Sequence, residues 1–364
     1  MSGIYGMNIK MSIFGESHGP AIGIVLDGLP PGLELDQQQI AAEMARRAPG
    51  KNKLSTARRE TDSFQIQSGL FNGYTTGTPL CAVIPNSDQH SGDYSQLKDK
   101  MRPGHADYAG HVRYHGYNDY RGGGHFSGRL TAPLVFAGAV AKQALALLGI
   151  TVGAHILSIA GVREANFNPL GIDDIIIKEL QRRDFCVMDM AKGEKMQQRI
   201  LQAKAENNSV GGVIEVIVQH LPAGIGAPYF DSLESRLSHV LFSVPAVKGV
   251  EFGDGFALTE LTGAEANDQL HYVDGSVQGY TNHNGGITGG ISNGMPVLFR
   301  AAIKPTPSIS RSQRTVSLSQ QCDTELTVVG RHDPCIVQRA VPVIEAVTAW
   351  TVWDLLLEAK KWER

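Results

Sequence analysis

The 364-residue sequence has little cysteine. Its four cysteines, Cys81, Cys186, Cys322 and Cys335, are far apart, and none forms a C-x-x-C pair. Zinc ribbons and disulfide frameworks depend on closely or regularly spaced cysteines, so this spacing indicates neither. We expect the thiols to be reduced, as in a cytosolic enzyme.

Long apolar runs at the start of the chain are also missing. The first twelve residues, MSGIYGMNIKMS, contain no apolar signal core, and no later run reaches the length of a membrane span. The sequence therefore predicts a cytoplasmic protein with no membrane partner.

Neither charge is in large excess. The chain has 33 lysines and arginines against 36 aspartates and glutamates, a net charge of −3 at pH 7. This balance argues against a nucleic-acid partner. The chain contains no strand followed by G-x-G-x-x-G and no G-x-x-x-x-G-K-[ST], so a Rossmann or P-loop nucleotide site is not expected. Hydrophobic residues make up 42%, which predicts a globular protein with a sizeable core.

Two halves of the chain repeat the same order of elements. An apolar strand at 22–32 precedes a helix from about Asp36 to Arg47, and residues 213–224 precede a helix that begins near Asp231. Three further pairs follow in the same order: proline-ended strands (75–86 and 292–306), Arg-His-Asp clusters (102–107 and 330–334) and long apolar helices (130–149 and 340–361). The matches favour an internal duplication, although chance similarity of such short motifs stays open.

The two long helices are apolar on almost all sides, so we expect them to be buried. The sequence therefore predicts an α+β fold: a layered β-α-β sandwich with pseudo-two-fold internal duplication, in which antiparallel sheets cover central apolar helices. We expect residues 1–364 to form one domain. Its halves would span about 8–150 and 211–360, with 163–210 as an excursion.

The segment 102–129, RPGHADYAGHVRYHGYNDYRGGGHFSGR, is dense in functional side chains. It contains four histidines, several arginines and three consecutive glycines. Arginine binds carboxylate and phosphate, histidine exchanges protons near neutral pH, and glycines let backbone N–H groups converge on an anion. The segment predicts a site that binds a polyanionic small molecule and moves a proton. A solvated basic loop is the alternative.

The motif GESHG at 15–19 matches G-x-S-x-G, the nucleophile elbow of serine hydrolases. That elbow requires a helix directly after the motif. Pro20 and the β-branched residues that follow favour a strand instead. We therefore expect His18, held in a tight glycine turn, to donate a proton to a leaving group. A hydrolase that uses Ser17 remains the alternative.

Three other segments carry cations. KPTPSIS (304–310) places a lysine beside hydroxyl groups, which suits a phosphate or a flavin edge, and GRHDP (330–334) places Arg331, His332 and Asp333 together. The third is a basic cluster of Arg46, Arg47, Lys53, Arg58 and Arg59. Each segment also has a structural explanation. KPTPSIS is typical of the exit from an edge strand, GRHDP of a turn that begins a helix, and the basic cluster of a solvated helix face.

Seven motifs in order resemble the chorismate synthase family. They are GESHG, RPGHAD, RGGG, AVKGVEFGDGF (246–256), NGGITGGISNG (284–294), a KPTxSI motif and GRHDPC followed by RAVPV. The resemblance runs from about residue 8 to 358. It implies a β–α–β sandwich, a homotetramer and the 1,4-anti elimination of phosphate from 5-enolpyruvylshikimate 3-phosphate to give chorismate, the last common step of aromatic amino acid biosynthesis in the shikimate pathway. It also implies a requirement for reduced FMN, formed with NADPH by the enzyme or by a separate flavin reductase.

The resemblance further implies roles for individual residues. His18 would protonate the departing phosphate, His105 would hold the charge state of reduced flavin near N1, and Asp333 would assist proton removal near N5. Cations that face the substrate would be Arg47, Arg102, Arg129 and Arg331, with Arg47 also a weak candidate for NADPH. The residues that frame FMN would be His125, Ser127, Ala246, Gly289, Lys304, Pro305, Thr306, Pro307, Ser308 and Arg331.

The sequence departs from the family pattern after RGGG. The family commonly has RSSARET where this chain has HFSGRLT, so His125 replaces an arginine. Lys53 stands where an arginine is common, which keeps the charge but loses the forked geometry. Pro307 replaces a frequent serine. A non-catalytic flavin-binding relative is the remaining alternative, but His18, His105 and Asp333 are all present.

Overall fold

The computed structural model describes residues 3–50, 54–55, 60–87, 97–328 and 332–360. The strands in these segments are β1 (Ile4–Tyr5), β2 (Lys10–Gly15), β3 (Ala21–Asp27), β4 (Gln65–Ser68), β5 (Leu70–Phe71), β6 (Tyr74–Thr75), β7 (Leu80–Pro85), β8 (Thr151–Ile159), β9 (Val162–Arg163), β10 (Gly212–Gln219), β11 (Val247–Phe252), β12 (Leu270–Val273), β13 (Ser276–Gly279), β14 (Ile287–Thr288), β15 (Ile291–Ser292), β16 (Val297–Ile303), β17 (Gln313–Ser317) and β18 (Cys322–Leu326). The α-helices are α1 (Gln37–Arg47), α2 (Asp107–Arg113), α3 (Thr131–Ala146), α4 (Asp174–Arg182), α5 (Met190–Ala205), α6 (Leu233–Ser243), α7 (Gly263–Ala266) and α8 (Val337–Lys360).

Ten of the strands form two five-stranded antiparallel sheets. The first sheet has the order β1-β2-β3-β7-β4, and the second has the order β11-β16-β10-β8-β9. In the first sheet Gly15 lies opposite Ile22, so residues 16–20 form a short connection between the antiparallel strands β2 and β3. The GESHG motif therefore lies at one end of this sheet.

Helices α3 and α8 pack against each other and against the two sheets. Helix α3 contacts β2, β3 and β7 of the first sheet, and α8 contacts β8 and β10 of the second. A side chain at Gly138 would place its Cβ 2.2 Å from the Cα of Ala346, so the absence of a side chain lets the helix backbones approach closely. Phe136 and Trp350 are fully buried. The chain thus has a mixed helix and sheet fold with two buried central helices.

Helix α8 is the longest helix of the described residues. It begins at Val337, three residues before the predicted start, and contains Pro342. By length and composition α8 is apolar enough to cross a membrane, but 94% of its most apolar stretch is buried inside the protein. This is the burial expected of a core helix.

Helix α1 forms where the sequence predicts it. The carboxylate of Asp36 accepts hydrogen bonds from the backbone N–H groups of Gln38 and Gln39, at 2.8 and 3.2 Å, and so caps the first turn. Its last turn carries Arg46 and Arg47, where cations interact favourably with the helix dipole. The cap therefore fixes where Arg47 enters the protein interior.

The excursion at 163–210 contains α4 and α5 and is attached to the second sheet by a buried polar cluster. His155 of β8 lies 2.5 Å from Glu164 Oε1 and 3.0 Å from Glu215 Oε2. Glu164 accepts from the backbone of Met188 and Asp189, as Glu215 does from Phe167. We call His155, Glu164 and Glu215 the excursion anchor. The excursion anchor joins the start of the excursion, at Glu164 and Phe167, and its middle, at Met188 and Asp189, to the second sheet.

Asp354 of α8 joins the last helix to the segment between β1 and β2. Its carboxylate is buried and accepts hydrogen bonds from the backbone N–H groups of Met7, Asn8 and Ile9, at 2.8, 2.7 and 3.1 Å. The turn between β1 and β2 is therefore held by a side chain from the last helix.

Candidate active site

A cavity of about 550 Å³ lies beside the C-terminal end of α6. Its walls come from distant parts of the chain: 102–106, 122–131, 243–246, 304–308 and 332–343, with Arg47, Pro49 and Glu60 from the first quarter. The volume falls in the range of small-molecule and cofactor sites. Twelve of the predicted site residues line it: His105, Asp333, Arg47, Arg102, Arg129, His125, Ser127, Ala246, Lys304, Thr306, Pro307 and Ser308.

Arg102, His105 and Asp107 form one hydrogen-bonded unit on the cavity wall. Arg102 donates from Nε and Nη2 to the Asp107 carboxylate at 2.7 and 2.8 Å. His105 Nδ1 lies 2.6 Å from Asp107 Oδ1. Burial by itself would raise the pKa of Asp107, but the hydrogen bonds from Arg102 and His105 outweigh it and hold that pKa well below its usual range. The ionised carboxylate therefore accepts a hydrogen bond from Nδ1–H of His105, which leaves Nε2 as the nitrogen available to a ligand in the cavity.

The three glycines of RGGG adopt a conformation that other residues rarely reach. Gly122, Gly123 and Gly124 have φ values of 58°, 86° and 52°. A Cβ on Gly122 would lie 2.2 Å from His18 Cε1, and one on Gly123 would lie 3.2 Å from His105 Nε2. The glycines are therefore required both by backbone geometry and by the close approach of the two histidines.

His18 is buried behind this glycine turn. Its Nδ1 lies 3.0 Å from Ser17 Oγ, and both side chains have almost no exposed surface. His18 is not among the residues that line the cavity, but Gly122, on which its ring packs, is. The glycine turn therefore separates His18 from the cavity, whereas His105 lines the cavity itself.

The GESHG segment does not have the geometry of a nucleophile elbow. It connects β2 to β3, and the chain enters a strand at Ala21 rather than a helix. The hydrolase alternative predicts a helix directly after residue 19, so that prediction is wrong. Pro20 and the strand-forming residues after it are the physical reason.

Arg47 and Arg129 share one carboxylate beside the cavity. Asp62 Oδ2 accepts from Arg47 Nε at 2.7 Å, and Asp62 Oδ1 accepts from Arg129 Nη1. Arg129 Nε also lies 3.0 Å from Asn86 Oδ1 and 3.2 Å from Glu60 Oε2. Burial, followed by the nearby charges of Arg339 and Arg129, lowers the pKa of Arg47 to about 10 even though Asp62 opposes the shift. Arg47 nevertheless stays charged at neutral pH.

Asp333 and His332 lie side by side at the entry to α8. Asp333 is buried and pairs with Arg339 Nη1, and Arg339 Nε donates to the carbonyl of Arg47 at 3.0 Å. Burial, with the charges of Arg102 and His105, lowers the pKa of His332 to about 4. His332 is therefore neutral at pH 7, and its buried Nε2 has no hydrogen-bond partner among the described residues.

The segment 304–308 forms the part of the wall next to Arg102 and Gly104. Lys304 Nζ donates to the carbonyl of Gly104, and Ser308 Oγ accepts from Arg102 Nη1 at 3.1 Å. The carbonyl of Ala246 accepts from the backbone of Lys304 at 2.9 Å, and Ala246 has a φ of 75°. Thr306 Oγ1 is buried without a hydrogen-bond partner among the described residues. Pro305 belongs to this segment but does not line the cavity.

His125, the departure from the family pattern, lies exposed at the cavity wall. Its Nδ1 lies 2.9 Å from the carbonyl of Gly15, which accepts from that nitrogen when it is protonated. Glu16 is its neighbour. Partial burial raises the pKa of Glu16, and the charge of His125 opposes this shift. The imidazole is therefore held by the GESHG turn.

Besides His18 and Pro305, which do not line the cavity, Gly289 is not brought to it, and Arg331 lies outside the described residues. Gly289 follows β14, and the carbonyl of the adjacent Gly290 accepts from Leu233 at the N-terminus of α6. The cavity lies at the other end of α6, whose 11 residues span about 16 Å. Lys53, Arg58 and Arg59 of the basic cluster lie outside the described residues as well.

Sequence reasoning named the cavity cations but missed most of the carboxylates behind them. Glu60, Asp62 and Asn86 hold Arg129, and Arg339 joins Arg47 to Asp333. Arg339 is the first residue of the RAVPV motif, so the motif carried the signal. Nothing in the sequence links Asp62 to Arg129, which lies 67 positions further on.

Comparison with known proteins places this chain in a family. The chorismate synthase family model matches residues 9–357. The chain is 46% identical over 358 residues to the chorismate synthase of Pyrococcus abyssi, and the match covers 98% of each chain. It is 44% identical over 359 residues to that of Dehalococcoides mccartyi, which covers 99% of this chain and 98% of the relative.

A solved structure is similar as well. A crystal structure of a chorismate synthase superimposes with a TM-score of 0.76 at 27% sequence identity, over 97% of this chain and 93% of that chain. The similarity therefore extends over both sheets and both central helices.

Proposed function

This chain belongs to the chorismate synthase family, and we propose that the cavity beside α6 is the active site in which it acts. The family reaction is the 1,4-anti elimination of phosphate from 5-enolpyruvylshikimate 3-phosphate. One C–H and one C–O bond break, one C=C bond forms, and a proton and phosphate leave without net oxidation or reduction. The enzyme is thus a carbon–oxygen lyase of aromatic amino acid biosynthesis.

The charge on the cavity wall suits this substrate. The substrate carries a phosphate and two carboxylates, and Arg47, Arg102, Arg129 and Arg339 all reach the cavity. Each guanidinium is held by a carboxylate behind it, so the arginines are already ordered before an anion binds. We assign Arg47, Arg102 and Arg129 to substrate binding, with Arg331 as a prediction outside the described residues.

The donor set also fits reduced FMN. Thr306 Oγ1 and His332 Nε2 are buried polar atoms without partners among the described residues, and such atoms are rare unless a ligand or water satisfies them. When bound, reduced FMN would lend electron density to the substrate and recover it. His125, Ser127, Ala246, Lys304, Thr306, Pro307 and Ser308 would hold it from the cavity wall, with Pro305, Gly289 and Arg331 as further predicted contacts.

Three side chains would move or hold protons. His18, behind the glycine turn, would protonate the departing phosphate. His105, whose Nδ1 is taken by Asp107, would present Nε2 toward flavin N1. Asp333, fixed by Arg339, would assist removal of the substrate proton near flavin N5. The observation that carries this assignment is the convergence of His105, Asp333 and three substrate-facing arginines on one cavity.

We also propose a detailed architecture, an oligomeric state and a source of reduced FMN. Two five-stranded antiparallel sheets around α3 and α8 support a layered β-α-β sandwich, and the matched halves at 8–150 and 211–360 support an origin by duplication within a single domain. We propose a homotetramer in the cytoplasm. FMN would be reduced with NADPH, for which Arg47 is a weak contact, or by a separate flavin reductase.

Anaerobic turnover of 5-enolpyruvylshikimate 3-phosphate, followed by chorismate absorbance, tests the proposal. One sample contains dithionite-reduced FMN, and a second contains oxidised FMN with NADPH. Turnover in the first sample alone means that an outside reductant is required, and turnover in both means that the enzyme reduces its own flavin. A folded protein that is inactive in both samples would overturn the assignment of this site and favour a non-catalytic flavin-binding relative.

A further inference from the structure

Asp62 is the most constrained carboxylate near the cavity. It is 2% exposed, and its backbone has a φ of 53°, in the left-handed region that few residues other than glycine adopt. Asn and Asp tolerate this region better than other residues, but the conformation still carries strain. Strain of this kind persists where surrounding contacts impose it, and it is concentrated at functional sites.

Two arginines contact the Asp62 carboxylate. Arg47 approaches Asp62 Oδ2 with two nitrogens, Nε at 2.7 Å and Nη2 at 2.6 Å. Arg129 Nη1 contacts the other oxygen, Oδ1. Both guanidinium groups are almost fully buried and both line the cavity, whereas Asp62 itself does not. One carboxylate therefore stands behind two cations that face a ligand.

The charges explain why this carboxylate is needed. Arg47 lies close enough to Arg129 and Arg339 for their charges to lower its pKa, so the three guanidinium groups repel one another in a buried site. Asp333 pairs with Arg339 and Glu60 lies beside Arg129, but Asp62 contacts both Arg47 and Arg129. Without Asp62, Arg47 would have no carboxylate partner among the described residues.

We propose that Asp62 is a positioning residue that orders Arg47 and Arg129 as a single anion-binding pair for the phosphate-bearing substrate. The proposal rests on the proposed active site. Replacement by asparagine keeps the shape but removes the charge, and the amide can accept from only one arginine because its NH₂ group faces the other. One of the two guanidinium groups is then no longer held in the orientation that binds the anion.

The test compares Asp62→Asn with Asp274→Asn. Asp274 is a matched control because it also has a left-handed backbone, with a φ of 48°, but lies exposed in the turn between β12 and β13. We expect Asp62→Asn to raise KM and the calorimetric Kd for 5-enolpyruvylshikimate 3-phosphate at least tenfold, with kcat changed less than threefold. Asp274→Asn should leave both constants unchanged.

A double-mutant cycle separates positioning from general destabilisation. If Asp62 acts through Arg47, then Arg47→Lys and Asp62→Asn combined should raise Kd much less than the product of the two single effects. A fully multiplicative result, or an unchanged Kd in folded Asp62→Asn, would overturn the proposal. Should Asp62→Asn not fold, Asp62→Glu decides instead, because it keeps the charge but displaces it: a raised Kd supports the proposal and an unchanged Kd contradicts it.

Wild-type protein measured in parallel keeps the two proposals apart. If wild type neither binds nor converts 5-enolpyruvylshikimate 3-phosphate, the proposed active site fails. If wild type does both and the folded variants match it, only the role of Asp62 fails.

Discussion

The excursion anchor contains a buried histidine, His155, and the cavity wall contains a partly buried one, His332, in opposite electrostatic surroundings. At His155 burial favours the neutral form, but hydrogen bonds to Glu164 and Glu215 outweigh it and raise the pKa. At His332 burial and nearby cations act together and lower the pKa to about 4. Both nitrogens of His155 are paired, whereas Nε2 of His332 has no partner among the described residues.

The difference distinguishes a structural cluster from a binding site. A buried polar cluster whose members are all paired stabilises the fold and offers nothing to a ligand. A buried atom without a partner costs free energy unless something else pairs with it. The excursion anchor is of the first kind and the cavity wall is of the second.

Removal of His105, which lines the cavity, should have the largest effect of the predicted changes. The loss should be one of activity and not of stability. We expect His105→Ala to lower kcat with reduced FMN by about 10²–10⁴-fold, the usual contribution of a positioned proton-transfer group. His111→Ala, in the adjacent α2 but outside the cavity, is the control. Activity of His105→Ala near the wild-type value would refute a role for His105 in the chemistry.

Removal of the anchor histidine should show the reverse pattern. His155→Ala leaves two buried carboxylates without their shared partner, so we expect the free energy of unfolding to fall by about 3–5 kcal/mol in urea titrations. Turnover per folded molecule should not change. His220→Ala, which breaks an exposed contact with Asp174, should cost at most about 1 kcal/mol. Equal losses in both variants would contradict the comparison.

His155 and His332 should make the free energy of unfolding depend on pH in opposite directions. The raised pKa of His155 stabilises the fold below the unfolded pKa of about 6.5, and this contribution is lost as pH rises through the folded value. The lowered pKa of His332 has no effect above about pH 6.5, but it destabilises the fold as pH falls toward 4, because the unfolded chain then binds the extra proton.

Unfolding titrations across pH 4–8 check these directions. His332→Asn should flatten the acid limb of the stability curve, and His155→Gln should flatten the limb above about pH 6.5. An acid limb of wild-type steepness in His332→Asn would show that another group causes it.

The smallest effect should come from an unpaired hydroxyl. If Thr306 Oγ1 binds the cofactor, Thr306→Val should weaken the binding of oxidised FMN by about 0.5–1.5 kcal/mol, or roughly two- to twelvefold in Kd by fluorescence titration. Thermal stability should not fall. Thr351→Val is the matched control, because its buried hydroxyl is already paired with Tyr5 and Val347, and it should cost stability but not affinity. Unchanged FMN affinity in Thr306→Val would remove Thr306 from the site.

Local features of the fold could be predicted from the sequence because they depend on neighbours. The cap at Asp36 and the helix ending at Arg47 follow from side chains within one turn of each other. The glycine turn at 122–124 follows from its composition, since three left-handed residues in succession require glycine. The strand after GESHG follows from Pro20 and the apolar residues beyond it.

The partners of the site residues could not be predicted, because they depend on long-range packing. Asp62 reaches Arg129 only because residues 60–62 and the turn that precedes α3 meet beside β7, which no local pattern encodes. The position of Gly289 at the far end of α6 is likewise a property of the whole fold. Motifs therefore identified the cations of the cavity, and packing alone showed what holds them in place.

The carboxylate of Asp354 has a consequence for how the protein is made. It holds the turn at Met7–Ile9, yet it belongs to a helix that follows every described strand and packs against the second sheet. During synthesis the ribosome releases the first sheet long before α8 emerges. The apolar face of the second sheet therefore lacks its covering helix until α8 arrives, so the final fold forms only after nearly the whole polypeptide is available.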